Sequence, residues 1–407
     1  MLRVSKLVHN DDEENYCKTN LYSWVLLILA LGYALIISVP LGMLYLWLIS
    51  RSRFDLEIIS VYLSVGLSVL AASRTFGLPF DDIEAYFKMY ESIRSGVPIR
   101  EVAILQLGST YEMGFLILLK MLAFILPPLN VVSFAFFMAL LVSLSFFASI
   151  FYVNRHKGME ELKKNLLLSI VFLGLANIYQ LIRQTLSSIF IFHAMNNRKL
   201  KRLGLLVVGT TFHLSAPLVF SFIKVCEYYA NKKSKKLIIL ILVVTLAFLL
   251  GRSYINTIDL SVISKFKFFI EIAPMEGGYT YVDMSNLKIF TVAFALIIFG
   301  LYFNRNKNNT ETYRFNAALV LLFYFIYLIL LPYASLSSRL TSFVSSVFLG
   351  YFVASVLPIK TILDRYIYST LILLKTYIII GTINANFWYN YPPFSSTLMF
   401  YYRHIAQ

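Results

Sequence analysis

Leu166–Met195 reads LLLSIVFLGLANIYQLIRQTLSSIFIFHAM. The stretch is apolar enough to sit in a bilayer and long enough for one crossing or two shorter helices. Near its middle stands a guanidinium, Arg183, with Gln180 and Gln184 on either side. A charged side chain at bilayer depth costs at least about 2.5–3.5 kcal/mol. It persists where it faces a polar cavity, meets an anion or lies at a helix break. His213 in GTTFHLSAP and Arg339 in PYASLSSRLTS share the oddity.

The whole chain agrees with this stretch. It is 407 residues long, 59% hydrophobic and 14% charged, with a mean hydropathy of +0.73. That composition predicts an all-α, polytopic helical membrane protein. Backbone groups in lipid must pair within their own segment, and the near-continuous apolar runs lack the alternation of a barrel. The net charge of +15 would suit nucleic acid, but its placement argues otherwise. More than half of the Lys and Arg fall in short loops between apolar runs, which is a topology signal, so no nucleic-acid partner is expected. Cys17 and Cys226 fit no metal pattern and no disulfide is expected of them.

About 11–12 hydrophobic segments are expected: 24–49, 56–73, 112–126, 129–153, 166–179, 180–195, 203–223, 237–250, 287–303, 316–333, 338–357 and 366–383. They would form one transmembrane helical domain over 24–383, between a polar segment 1–23 and an aromatic tail 384–407. The run Trp24–Ile49 lacks a small-residue cleavage site and reads as a retained helix. Basic loops at 51–53, 155–164, 198–202, 232–236, 305–314 and 360–365 mark the cytoplasmic side. Outer loops then fall at 74–111 and 252–286, with shorter ones at 177–183 and 332–339.

Parity fails twice. Loops 198–202 and 232–236 both read as cytoplasmic, yet one run separates them, so 203–223 is expected to be a re-entrant pair of half-helices. Its apex is Phe212-His213-Leu214-Ser215, and Pro217 opens the second half. Segment 112–126, stopped by Pro127-Pro128, is expected to cross only half the membrane. The charge rule leaves the cytoplasmic side open for loop 74–111, because its acids count little against Arg74, Lys88, Arg94 and Arg100.

The polar loop 74–111 holds most of the acidic candidates. Phe80, Ile83, Tyr86, Phe87 and Tyr90 follow 3/4 spacing, which predicts an amphipathic helix over Asp82–Arg94 lying in the membrane interface. Asp81 or Asp82 is placed to cap it, or Asp82 acts as a base or sugar ligand at the surface. Glu112 opens an apolar segment, where an acid suits the helix dipole; at the bilayer edge it also wants a partner. Arg183 is either one half of a structural ion pair or a phosphate ligand, since guanidinium binds phosphate oxygens in a bidentate manner. His213 is a buried, satisfied histidine or a proton relay, and Arg339 snorkels or binds an anion. His193 reads as structural, Glu271 and Glu276 stay unassigned, and Pro274–Asp283 is aromatic enough to touch a sugar.

No P-loop, dinucleotide fingerprint, HExxH or Cys/His metal spacing is present, which excludes ATP-driven transport within the chain. The glycines give no small-xxx-small repeat, and the two halves show no internal repeat.

The succession Arg74…Gly77…Asp82-x-x-x-Tyr86-x-x-x-Tyr90, Tyr111-Glu112-x-Gly114-Phe115, Ile182-Arg183-Gln184-x-Leu186, Phe212-His213-Leu214-Ser215-Ala216 and Arg339 resembles the EpsG family of Wzy-type bacterial O-antigen, capsule and exopolysaccharide polymerases. The tail Phe387-Trp388-Tyr389-Asn390-Tyr391-Pro392 is similar to the aromatic end of such proteins. Two departures stand out: Leu-Pro-Phe between Gly77 and Asp81, and Met113 where a proline is usual. Asp82 is favoured over Asp81 for its tyrosine spacing.

The resemblance implies a GT-C-like glycosyltransferase of the bacterial inner membrane, with its site facing the periplasm or exterior and with no cofactor and no metal. Its substrates would be undecaprenyl-pyrophosphate-linked glycans, and a chain-length regulator and flippase of the same pathway would be its partners. Glu112, Asp82 and His213 would be catalytic. Arg183, Arg339, Gln184 and Arg74 would hold the pyrophosphate, with Tyr86 and Tyr90 along the glycan; Arg183 would be partnered by substrate and not by another side chain. Two alternatives come from other classes: a transporter or flippase of lipid-linked oligosaccharide, and a membrane acyltransferase modifying surface glycans.

Overall fold

Short polar residues set the helix starts. Ser52 Oγ accepts from the Asp55 amide at 3.0 Å, and Asp55 Oδ2 accepts from the Ser52 amide at 3.0 Å. This reciprocal cap satisfies two amides that the helix itself leaves unpaired. Asn130 Oδ1 does the same for the Ser133 amide at 2.8 Å.

A computed structural model describes residues 24–29, 35–73, 76, 82–107, 112–197, 199–231, 280–303, 311–330, 347–357 and 362–384. Among the described residues there is no strand. The helices are α1 (Leu35–Leu48), α2 (Arg53–Ala72), α3 (Asp82–Arg94), α4 (Met113–Ile125), α5 (Val131–Val153), α6 (Met159–Phe172), α7 (Leu175–Tyr179), α8 (Ile182–Met195), α9 (Lys199–Phe212), α10 (Ala216–Asn231), α11 (Thr280–Phe303), α12 (Glu311–Leu330), α13 (Leu349–Val356) and α14 (Ile362–Asn384). Between α3 and α4, one turn at Ile99–Val102 runs into π-helical turns at Ala103–Leu107. The expected segment 237–250, the polar segment 1–23 and the tail beyond 384 lie outside the described residues.

Among the described residues, α2 and α5 are long and apolar enough to cross a bilayer, and shorter apolar helices lie at Ser38–Leu48, Met113–Ile125, Thr291–Tyr302 and Tyr313–Phe325. On α4 the large residues Ile117, Met121, Phe124 and Ile125 are exposed, as lipid-facing residues would be.

One contiguous stack carries the site. Helix α2 packs on α5, α5 on α8, and α8 on α9, while α3 lies across α4 and α5. Both α2 and α5 carry small buried residues at helical spacing, supplied by serine and alanine where the glycines give no such repeat. Ser60, Ser64 and Ser68 on α2 and Ala135, Ala139 and Ser143 on α5 recur every fourth residue and are buried. Each of these serines donates to the carbonyl one turn back, so none leaves a buried hydroxyl unpaired. Small side chains let helix backbones approach where lipid gives no hydrophobic drive. A second close approach joins α6 to α13: a Cβ on Gly350 would overlap the Leu168 carbonyl and stand 2.6 Å from Ser169 Cα.

Two expectations need correction. Helix α3 has the expected bounds, but its apolar face is not laid on lipid: Ile83, Tyr86, Met89, Tyr90 and Ile93 are buried in the protein. The basic loop expected at 155–164 is helical from Met159 onward, with Lys163 and Lys164 buried. The reason is electrostatic. Lys164 Nζ donates at 3.1 Å to the carbonyl of Leu357, the C-cap of α13. Lys375 Nζ on α14 donates at 2.6 Å to the carbonyl of Leu173, the C-cap of α6. Arg94 Nη1 reaches the Ala123 and Leu126 carbonyls at the end of α4, both at 3.1 Å. Helix C-termini present unpaired carbonyls and partial negative charge, which a cation satisfies, buried as at Lys164 and Lys375 or exposed as at Arg94.

Candidate active site

The segment that holds Arg183 is broken on both sides of α7. Helix α6 ends at Phe172, with Leu173 as its C-cap, α7 is a single short helix, and α8 begins at Ile182 after Leu181 takes up non-helical angles. Thr185 Oγ1 donates at 2.6 Å to the Asn177 carbonyl, which pins the second break. Arg183 is therefore the second residue of a helix, and its side chain leaves the helix start toward α3 and α4.

There it meets three groups. Arg183 Nη1 donates to Glu112 Oε2 at 2.6 Å, and Nε donates to the Tyr86 hydroxyl at 3.3 Å. The guanidinium carbon also lies 5.4 Å from the centroid of the Tyr86 ring, in cation–π range. Tyr86 is held in turn by an edge contact with Phe115 at 4.8 Å. Two of the five guanidinium N–H groups are thus engaged, and the side chain retains 17% exposure against 4% for Glu112. The expectation that Arg183 has no side-chain partner is corrected. A cation in so dry a place needs a counter-charge when no substrate is bound, and Glu112 supplies it.

Glu112 is the hub. It is the N-cap residue of α4 but makes no side-chain cap bond to that helix. Its other oxygen, Oε1, instead accepts from the Leu214 amide at 3.1 Å. Leu214 lies in the short break His213-Leu214-Ser215 between α9 and α10. That break is present where the sequence predicts it. Within it the Ser215 amide donates to His213 Nδ1 at 3.2 Å, so the neutral ring carries its proton on Nε2.

Gly114 is the residue that lets this happen. A Cβ there would overlap Thr211 Oγ1 and stand 3.1 Å from the Thr211 Cβ and carbonyl carbon. Its bare backbone allows the start of α4 to touch the end of α9, which brings Glu112 within reach of the α9–α10 break.

The other sequence candidates divide. Asp82 begins α3, one turn before Tyr86, and its charge acts on Arg183. Gln184 is buried beside Arg183 on α8. Tyr90 is not in the cluster: its hydroxyl donates to the Pro127 carbonyl at 3.4 Å and accepts from Arg94 at 3.2 Å, and its ring packs 5.3 Å from that of Phe134. Arg74 and Arg339 lie outside the described residues, as do Asp81, Tyr111, Glu271 and Glu276. His193 is satisfied by Ser149 Oγ at 3.0 Å, the structural role expected of it. Cys226 is buried and unbridged.

Sequence reasoning missed Lys375, buried within LILLKTYIII. The argument that singles out Arg183 applies equally there. It also missed the Leu214 amide, for which a sequence carries no signal. Among the described residues, no three His, Cys, Asp or Glu side chains form a metal-sized group.

The arrangement is a largely buried guanidinium with spare donors, a buried carboxylate shared between that guanidinium and the Leu214 amide, His213 next to Leu214 in the chain, and a tyrosine platform. Such a set can bind an anion and move a proton. The sequence profile of one protein family, described as the EpsG family, matches residues 57–403. No curated protein and no solved structure matches the chain.

Proposed function

The chain belongs to the EpsG family, and from that premise we propose that it is a polysaccharide polymerase, a glycosyltransferase that joins undecaprenyl-pyrophosphate-linked repeat units at the outer face of the bacterial inner membrane. Family membership carries the coarse reading, a polysaccharide-polymerase-type membrane protein acting on lipid-linked glycans. The proposal adds the carrier, the face, a multi-pass GT-C-like architecture with a re-entrant turn at 213–215, and the residues. The observation that supports it best is the contact of Arg183 with Glu112 where α3, α4, α8 and the α9–α10 break converge.

In this reading Arg183 binds the pyrophosphate of the donor and stabilises the negative charge that grows as the glycosidic carbon departs. Tyr86 fixes the guanidinium plane, so little reorganisation is needed when the anion arrives. His213, protonated on Nε2, donates a hydrogen bond to the same leaving group, with Gln184 alongside. Glu112 takes the proton of the acceptor hydroxyl, which then attacks the anomeric carbon. Asp82 keeps the surroundings of Arg183 anionic. Arg74 and Arg339 remain candidates for further contacts to phosphate, and Tyr90 serves packing.

The test is a deletion strain complemented with Arg183→Ala or His213→Ala, followed by electrophoresis of surface glycan. Each variant should accumulate in the membrane and leave a single repeat unit on each lipid carrier. A full ladder of chain lengths from Arg183→Ala defeats the proposal. Lipid-linked units retained on the cytoplasmic face of the deletion strain would point to a flippase instead.

A further inference from the structure

Glu112 occupies the place that the polymerase reading gives to substrate. Its two oxygens bridge the Arg183 guanidinium, at 2.6 Å, and the Leu214 amide, at 3.1 Å. Two oxygens of a phosphate would use the same pair of donors, because each offers negative oxygen atoms on one centre. We propose that Glu112 is an exchangeable counter-ion: it neutralises Arg183 in the resting protein, is displaced by the donor's pyrophosphate, and becomes the acceptor's base only once displaced. This deepens the polymerase reading and rests on it.

Three features of the geometry support the exchange. Arg183 does not depend on Glu112 for its position, since Tyr86 holds it through both the Nε bond and the ring face. Glu112 is tied to other helices and makes no cap bond to its own, so releasing it leaves the hydrogen bonds of α4 intact. The carboxylate is buried at 3% exposure, where an unpaired charge is costly. Displaced by pyrophosphate, it needs a new proton or partner at once, and the acceptor hydroxyl offers one.

The step balances without a further reactant. The hydroxyl proton passes to Glu112 as the hydroxyl oxygen bonds to the anomeric carbon. The bond from that carbon to the pyrophosphate breaks, and its electron pair stays on the phosphate oxygen held by Arg183. Glu112 then returns its proton to water and closes again on Arg183. The exchange also imposes order. Before the donor binds, Glu112 is engaged with Arg183 and the Leu214 amide, so neither the acceptor nor water is activated in its absence.

The test uses the purified full-length chain in detergent micelles, with inorganic pyrophosphate as the probe. A closed ion pair lowers apparent affinity by the fraction of molecules that are open; a pair closed nine-tenths of the time weakens binding about tenfold. Glu112→Gln, which keeps the shape and an acceptor for the Leu214 amide, should therefore bind pyrophosphate about tenfold more tightly than the wild type, while failing to polymerise. Arg183→Gln should lose binding. If Glu112→Gln binds no tighter, or more weakly, the exchange is wrong. If, in addition, Arg183→Gln binds as the wild type does, the anion site of the polymerase reading falls with it. Thermal melts of each variant check folding. Should Glu112→Gln not fold, Glu112→Asp keeps the charge but shortens the reach to Arg183, and must also bind more tightly than the wild type.

Discussion

Replacing Gly114 by alanine isolates the contact that assembles the site. In an unpacked helix this change stabilises by up to about 1 kcal/mol, because alanine restricts the unfolded chain more than glycine does. Here the new Cβ would overlap Thr211 Oγ1 and lie 3.1 Å from both the Thr211 Cβ and its carbonyl carbon. The hydroxyl can turn away, but the backbone carbon cannot, so α4 and α9 must separate by roughly 0.5 Å to restore van der Waals contact near 3.5–4 Å. Overpacking of this kind costs about 1–3 kcal/mol, more than the propensity gain, and the net sign is destabilising. The larger effect falls on the site. Leu214 follows Thr211 by one turn and Glu112 precedes Gly114 by two residues, so the same shift stretches their 3.1 Å hydrogen bond beyond useful range, about 3.5 Å. Misplacing a catalytic group by such a distance lowers a rate by up to about 100-fold. Thermal unfolding in detergent should show a melting point a few degrees lower, while polymerisation, followed as glycan chain length on gels, should fall far more. Thr211→Gly removes both the Cβ and the hydroxyl that the new methyl would meet, the hydroxyl being one that donates to the Val208 carbonyl of its own helix, and should restore part of the lost polymerisation in the double variant. If Gly114→Ala is as stable as the wild type or more so, and polymerises at the same rate, the close approach of α4 and α9 does not set the site.

The buried ion pair predicts a separation of stability from activity. Arg183→Gln should cost about 3–5 kcal/mol by leaving the Glu112 carboxylate buried without its counter-charge; adding Glu112→Gln should recover most of that stability but no polymerisation. Unfolding curves and glycan gels of the single and double variants check both halves, and a double variant that polymerises would contradict the role given to Arg183. On α14, Lys375→Met should change stability by less than about 2 kcal/mol, because the orphaned Leu173 carbonyl and the relieved burial of an ammonium offset one another. Lys375→Glu sets a carboxylate against that carbonyl and should prevent accumulation in the membrane; near-normal amounts on a blot of the membrane fraction would show that the Lys375 contact carries no structural weight.

What could be read from the sequence began with one kind of argument, the cost of a charge in an apolar run. It found Arg183, and the helix break before it, because Gln180 and Gln184 accompany the guanidinium. The break at 213–215 was legible from parity, since basic loops on both sides of a single run can both be cytoplasmic only if that run turns back. The charge-cost argument stopped short at Lys375, which sits in an equally apolar run and answers the same question with a helix C-terminus. Counting positive charges placed Lys163 and Lys164 in a loop, whereas both are buried on α6, because it takes no account of a cation such as Lys164 that satisfies a helix C-terminus inside the protein.

Pairing was out of reach altogether. Tyr86 and Tyr90 lie on one face of α3, a turn or about 6 Å apart, and both are buried. Periodicity treats them alike, yet only Tyr86 meets Arg183, while Tyr90 closes on Arg94 and Pro127. The difference comes from what each one faces: α8 sets Arg183 against Tyr86, while the chain after α4 sets Pro127 against Tyr90. Glu112, well separated along the chain from both Arg183 and Leu214, reaches the Leu214 amide because a glycine at 114 lets α4 close on Thr211. The sequence thus announced a cation in need of an anion. That the protein carries its own anion, held where it can be exchanged, follows from the packing of α4 on α9.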